Sequence, residues 1–406
     1  RSRALDNRMP ARVQASMLIE CGRLVERGTV WFLREESQPL DIGRQIEGHG
    51  QGVAHRQGGG GRGGGGEVQR AGLLVDLGPQ VDVGVARQVR SGVAGHHHQR
   101  HPEAAANAKE GMRRAGLEPQ AITVGESVMI GEMASALGLP LLRIRRELAP
   151  ELRAMNRAGA WNGHVPVTAI NSAILLCAAL LYGYRQVVFS NERSADEATL
   201  IAEDGREVNH QFSKSSAFEA ALRRVLTRTI SPDLDYFSIL RPFSELAVVQ
   251  RFSTMTNCHE VFSSCNRHFH LDGPRVQGRW CLDCPKCRFA ALSLAVFLRP
   301  PQVAAIQGAD LLDDPRQVDG FRALCRLGRD KPFECVGEAG ESRAALDALS
   351  RDPDWRDRAV VQLLSPELKG VDVPAMKDLL EPGRRHFIPP AVCARLGLSV
   401  SNHAAG

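Results

Sequence analysis

Cys281, Cys284 and Cys287 stand three residues apart in RWCLDCPKCRF, Arg279 to Phe289. Three thiols gathered into one turn need a common partner, and that need restrains the surrounding fold more tightly than any other feature of the chain. Ten cysteines in 406 residues, behind an opening (RSRALDNRMPARVQASMLIE) that lacks a continuous apolar core, read as free thiols plus a metal site rather than a disulfide framework. A structural zinc takes four soft ligands in a closed tetrahedron. Cys265, with fifteen residues between it and Cys281, is the natural fourth ligand, with Cys258 and His268 as alternatives. An iron–sulfur cluster is the rival occupant, but its usual fourth thiol followed by proline is missing. The expectation is about one Zn²⁺ per chain. The ion would pin residues 263–280 against the helix CRFAALSLAVFL.

Composition narrows the partners. The formal charge is +5, and of 51 basic residues only six are lysines (109, 214, 286, 331, 369 and 377). No basic run is interleaved with aromatics, so no nucleic-acid partner is expected. The most apolar stretch, Val167 to Tyr184, carries Asn171 and Ser172 and is too short to span a bilayer. A buried helix, no membrane partner and a soluble cytoplasmic protein are expected; protein partners are not legible.

Residues 1–116 differ from the rest of the chain. No aromatic residue occurs between Phe32 and Trp161, and the interval holds QGGGGRGGGGEV and the histidines 96, 97, 98 and 101. Such composition predicts a loose, low-complexity segment, the mark of a frame error or a mispredicted start. The glycine run has neither the Gly-Lys-Ser/Thr of a phosphate loop nor GxGxxG, so it reads as a linker.

From residue 117 the pattern alternates. QAITVG, LPLLRIRREL, QVVFS (186–190) and DYFSIL (235–240) read as strands. Between and after them ESVMIGEMASALG, part of Val167–Tyr182, SAFEAALRRVLTR and SELAVVQRF read as helices. Ser216 and Glu219 have capping-box spacing, with Phe218, Leu222, Val225 and Leu226 along one face. The alternation predicts an α/β fold with a mostly parallel sheet covered on both faces. Residues 117–300 form its catalytic domain, 301–400 a helical C-terminal region and 401–406 a tail. Ligands of such sheets bind at the carboxyl ends of the strands. Two polar loops lie there, Asn191-Glu192-Arg193-Ser194 and Arg241-Pro242-Phe243-Ser244-Glu245. Ser244 also suits a helix cap.

Seven stretches in order carry a resemblance: NGHVPVTAINS (162–172), VVFSNERSADEATL (187–200), GREVNHQFSKSSAFE (205–219), YFSILRPFSELAV (236–248), SSCNRHF (263–269), WCLDCPKCRF (280–289) and KPFECVGE (331–338). Together they resemble the ATP-dependent UDP-N-acetylmuramoyl-L-alanyl-L-glutamate epimerases of bacterial peptidoglycan synthesis. The resemblance implies conversion of the terminal L-glutamate of UDP-MurNAc-L-Ala-L-Glu to D-glutamate, with ATP cleaved to AMP and diphosphate and Mg²⁺ required. The cysteine arrangement is similar to that of deazaguanine-forming synthases, which implies a nucleotide alpha-hydrolase (PP-loop-like) sheet. The SGGxDS or GGGKDS loop of such enzymes is absent, and its place falls in the unusual first third.

Within that frame Asn162, His164 and Thr168, at a helix start, suit phosphate or carboxylate oxygens. Glu192 and Glu245 are candidate Mg²⁺ ligands or bases, Asn191 a neighbouring contact, and Arg193, Lys214 and Arg241 candidate anion contacts. His164 and His210 are the candidate proton-transfer pair. The alternatives are a related carboxylate-adenylating enzyme making an amide or nitrile, and a non-catalytic zinc-ribbon module.

Overall fold

The computed structural model describes residues 30–34, 118–159 except 148, 166–269 except 199 and 203, and 276–400 except 329, 333 and 335. The strands are β1 (Val30–Arg34), β2 (Glu118–Val124), β3 (Leu141–Ile144), β4 (Gln186–Phe189), β5 (Leu200–Ile201), β6 (Glu207–Val208) and β7 (Asp235–Ser238). The main sheet has the order β3-β2-β1-β4-β7, and β5 with β6 makes a separate hairpin. β2 pairs with β3 in parallel, as β4 does with β7. β1 is antiparallel to both β2 and β4, with Val30 opposite Ile122 and Trp31 opposite Val188.

Four strands therefore share one direction, and the fifth, reversed, joins two parallel pairs at the centre of the sheet. An antiparallel strand needs no crossover helix, so a β-forming run far upstream can fill this place. VWFLR is such a run. Part of the segment whose composition predicts looseness thus belongs to the sheet.

The helices are α1 (Val128–Ala136), α2 (Glu151–Arg157), α3 (Val167–Tyr182), α4 (Ser216–Val225), α5 (Glu245–Phe252), α6 (Thr256–His259) and α7 (Pro285–Ala295), followed by α8 (Pro300–Gln307), α9 (Val318–Leu324), α10 (Ala339–Arg351), α11 (Ala359–Leu364), α12 (Met376–Leu380) and α13 (Pro390–Leu396). Alternation along each strand divides the core in two. Ile122, Val187, Phe189 and Tyr236 meet Leu175, Leu176 and Ala179 of α3. Ala121, Val188 and Phe237 face the larger core with α1, α5, α7 and the C-terminal helices. Both faces are covered, which permits strands as continuously apolar as QVVF. α3 ends where Gly183 takes φ 70°, a left-handed conformation open to glycine, and its amide returns to Ala179 and Leu180. Among the described residues no helix is long and apolar enough to cross a membrane.

Four local expectations need correction. The strand predicted through LPLLRIRREL stops at Ile144, and the one predicted through DYFSIL stops at Ser238 before a turn. At α4 the N-cap is Ser215, whose hydroxyl accepts from the Phe218 amide at 3.2 Å. Glu219 does not reach back to complete a capping box; it turns inward to Arg241 and the Ser238 amide. Val225, expected on the buried face, is half-exposed, because the chain loosens into a π-turn from Leu226. The expected cap at Ser244 is present: its hydroxyl accepts from the Ala247 amide at 3.0 Å and donates to Leu379 O at 2.7 Å.

Candidate functional site

The loops after β4 and β7 are laced together beneath the surface. The Ser238 hydroxyl donates to Asn191 O at 2.5 Å and to Phe189 O at 3.3 Å. Arg241, only 2% exposed, gives one guanidinium nitrogen to Glu192 O (2.6 Å) and another to Lys214 O (2.5 Å). The same guanidinium holds the Glu219 carboxylate at 3.1 Å and lies 3.9 Å from Asp196. Burial pushes the Glu219 carboxyl up, and Arg241 pulls it back. Arg241, expected to contact a bound anion, instead gives its donors to the chain, where they fix the segments bearing Glu192 and Lys214.

Above this base, charges of both signs converge. Glu192 is buried, and its Oε1 accepts from the Ser194 hydroxyl at 2.9 Å. Arg193 lies 3.7 Å from Glu338. Glu197 accepts from the Ala339 amide at 3.4 Å and pairs with the buried Lys331. Glu341 is wholly buried at the start of α10. His210, half-buried, has its pKa lowered by desolvation and by the repulsion of Lys214 and Lys331, against the attraction of Glu334. Desolvation likewise raises Glu338, which also feels Glu197 and Asp196, with Arg193 and Lys331 opposing. At His210 the arrangement can hold an imidazole in its neutral, proton-accepting form near pH 7.

Of the residues singled out from sequence, this charged cluster gathers Glu192, Arg193, His210 and Lys214. Glu245 joins as the first residue of α5, its amide on Glu341. Thr168 sits in the first turn of α3, where its carbonyl accepts from Ser172. Asn162 and His164 fall outside the described residues. The sequence reading missed Glu197, Lys331, Glu338 and Glu341. The available signals were the stretches 187–200, which holds Glu197, and 331–338, which holds Lys331 and Glu338.

The second site is the thiol cluster. Cys265, Cys281, Cys284 and Cys287 place their sulfurs within 4.8 Å of one another, with Cys281–Cys287 at 3.8 Å and Cys284–Cys287 at 3.5 Å. A tetrahedron of about 2.3 Å metal–sulfur bonds has edges of about 3.8 Å, so this set can hold one metal ion. Among the described residues no other group of three or more ligating side chains closes up in this way. Cys258 is not in the set, and His268 is turned to Arg279 O at 2.8 Å. The local sequence explains the geometry. Cys284 caps α7, Pro285 starts it, and Cys287 follows one turn on, its carbonyl accepting from Gln307. The Ser263 hydroxyl accepts from the Cys265 amide and donates to Arg279 O, bringing the fourth thiol across. Asp283 pairs with Arg267 and Arg288 on either side.

An α/β sheet with charged loops at its strand ends, together with a four-cysteine cluster that could hold a metal ion, defines the class of molecule. Two family models then match in order: MurL N-terminal domain over residues 108–239 and MurL C-terminal domain over 261–378. A third, Glutamate dehydrogenase, C-terminal, matches residues 1–57. A protein of Xanthomonas oryzae pv. oryzae named UDP-N-acetyl-alpha-D-muramoyl-L-alanyl-L-glutamate epimerase is 47% identical over 291 residues, 71% of this chain and 64% of that protein. Two proteins of the same name, from Salinispora tropica and a Micromonospora species, are each 42% identical over 71% and 69% of this chain and 63% of their own lengths. No solved structure matches. The chain belongs to the MurL family, and it spans just under two thirds of the length of these relatives.

Proposed function

We propose that the chain epimerises the terminal L-glutamate of UDP-MurNAc-L-Ala-L-Glu to D-glutamate for peptidoglycan synthesis, after ATP-dependent adenylation of the glutamyl α-carboxylate. The observation that carries the reading is identity of 42–47% to three proteins of that name, over 283–291 residues.

The chemistry suits the residues. Removing an α-proton beside an ionised carboxylate piles charge on charge. Attack of that carboxylate on the ATP α-phosphorus releases diphosphate and leaves an acyl-adenylate whose electron-withdrawing carbonyl no longer carries the charge, the remaining negative charge sitting on the phosphoryl oxygens. A base then takes the α-proton, an enolate forms, a proton returns to the opposite face, and hydrolysis releases AMP. His210, kept neutral by burial and neighbouring lysines, suits one proton transfer. His164 is proposed as its counterpart and Glu192 as a further base. Arg193 and Lys214 would meet phosphate or carboxylate oxygens, as would Asn162, Thr168 and Asn191. Glu192 and Glu245 offer the hard oxygens that suit Mg²⁺, an ion usually held by one or two carboxylates plus nucleotide phosphates. Bound there, Mg²⁺ would shield the phosphates from the attacking carboxylate. The sheet is read as PP-loop-like, and the thiol cluster as a structural Zn²⁺ site, since four thiolates leave no position open for chemistry.

Incubation with UDP-MurNAc-L-Ala-L-Glu, ATP and Mg²⁺ in deuterated water tests the proposal. Solvent deuterium at the glutamyl α-carbon together with AMP release is expected. Epimer formed without ATP rules out adenylation, and an ammonia-dependent product points to amide formation instead. His210→Asn is expected to abolish exchange at the α-carbon; unchanged exchange removes His210 from the mechanism.

A further inference from the structure

The Glu341 carboxyl group is shared by two helices. Its Oε1 accepts from the amide of Glu245, the first residue of α5, at 2.8 Å, and its Oε2 from the amide of Glu338, the N-cap of α10, at 3.1 Å. The second bond completes a local capping box. The first has no such local purpose, because it reaches 96 residues back along the chain to the loop after β7. The positive ends of α5 and α10 therefore meet on one side chain without solvent access. The facing charges are the carboxylates of Glu338 and Glu245, one on each helix, and the Arg193 guanidinium from the loop after β4.

We propose that Glu341 is a positioning residue: bridging the two amides, it fixes the starts of α5 and α10, and with them Glu245 and Glu338, the latter 3.7 Å from Arg193, the cation proposed to meet the substrate's anionic groups. The assignment rests on the functional reading above. A surface cap would serve α10 alone at less cost, since a buried carboxylate opposed by two others is expensive to ionise. Burial, then Glu338 and Glu245, push its pKa up to about 8. A carboxyl raised in this way binds a proton on folding. Its stabilisation is complete below the unfolded value and is lost as pH rises through about 8.

Hydrogen exchange by mass spectrometry on the full chain, with Glu341→Gln and Glu341→Asp, tests the bridge. Gln keeps one acceptor for two amides, and Asp is a methylene short. Both variants should speed exchange in residues 243–247 and 336–342 together, by about tenfold, while 284–295 stays unchanged. Loosening of 336–342 alone reduces Glu341 to a local cap and overturns the proposal. Melting profiles supply a second readout. The wild type should lose stability from about pH 4.5 to about pH 8 relative to Glu341→Gln, whereas a purely structural acceptor predicts that Gln melts lower throughout. In the epimerisation assay Glu341→Gln should cost about tenfold or more in kcat and flatten its pH profile; an unchanged kcat and profile sink the positioning role. If the wild type turns over no substrate, the functional reading fails while the exchange result still decides the bridge.

Discussion

The thiol cluster and the charged crevice are built by opposite means. Three of the four thiols come from seven consecutive residues, and the fourth lies sixteen positions upstream. The crevice draws Glu197 to Lys331 across 134 residues and Glu245 to Glu341 across 96. Local spacing can impose a ligand tetrahedron before the rest of the chain has packed. Long-range pairing exists only once the sheet and the C-terminal helices have met. The first should therefore fail through its ion, the second through its packing.

Replacing Cys284 by Ser should have the largest effect. It should take metal content from about one ion per chain to near zero and forfeit coupled binding free energy on the order of 10 kcal/mol, read by elemental analysis and thermal melting. Retention of a full complement of metal would mean that the four thiols do not act as one site. Arg241→Met should come next, at about 3–5 kcal/mol in urea unfolding, because it strands the buried Glu219 carboxylate. Metal content should stay unchanged in this variant; joint loss would erase the distinction between the two regions. Smallest is Ser215→Ala, at about 1 kcal/mol for a lost helix cap, whereas Ser216→Ala should cost less than about 0.5 kcal/mol. The reverse order would restore the sequence-based cap at Ser216.

Legibility in the sequence divides along the same line. The thiol cluster, α3, α5 and the strands β4 and β7 announce themselves in runs of a few residues, and the two polar loops are located by the strands that precede them. The cap at α4 misled because two serines stand in tandem, and the pull of Arg241 and the Ser238 amide on Glu219 is invisible to local spacing. Lys331, Glu338 and Glu341 carry no periodic signal, and their meaning comes from what the fold sets beside them. β1 escaped for a related reason: five β-forming residues sit within a hundred that suggest none.

The reversed central strand has a practical outcome. β1 supplies neighbours to both β2 and β4. A polypeptide trimmed to begin at residue 118 would leave two separate pairs of strands, each with a freshly bared row of amides and carbonyls facing the gap. Such a fragment should seek replacement partners in other copies of itself and come out of solution as clumps, so the awkward early segment is best retained in any expression vector.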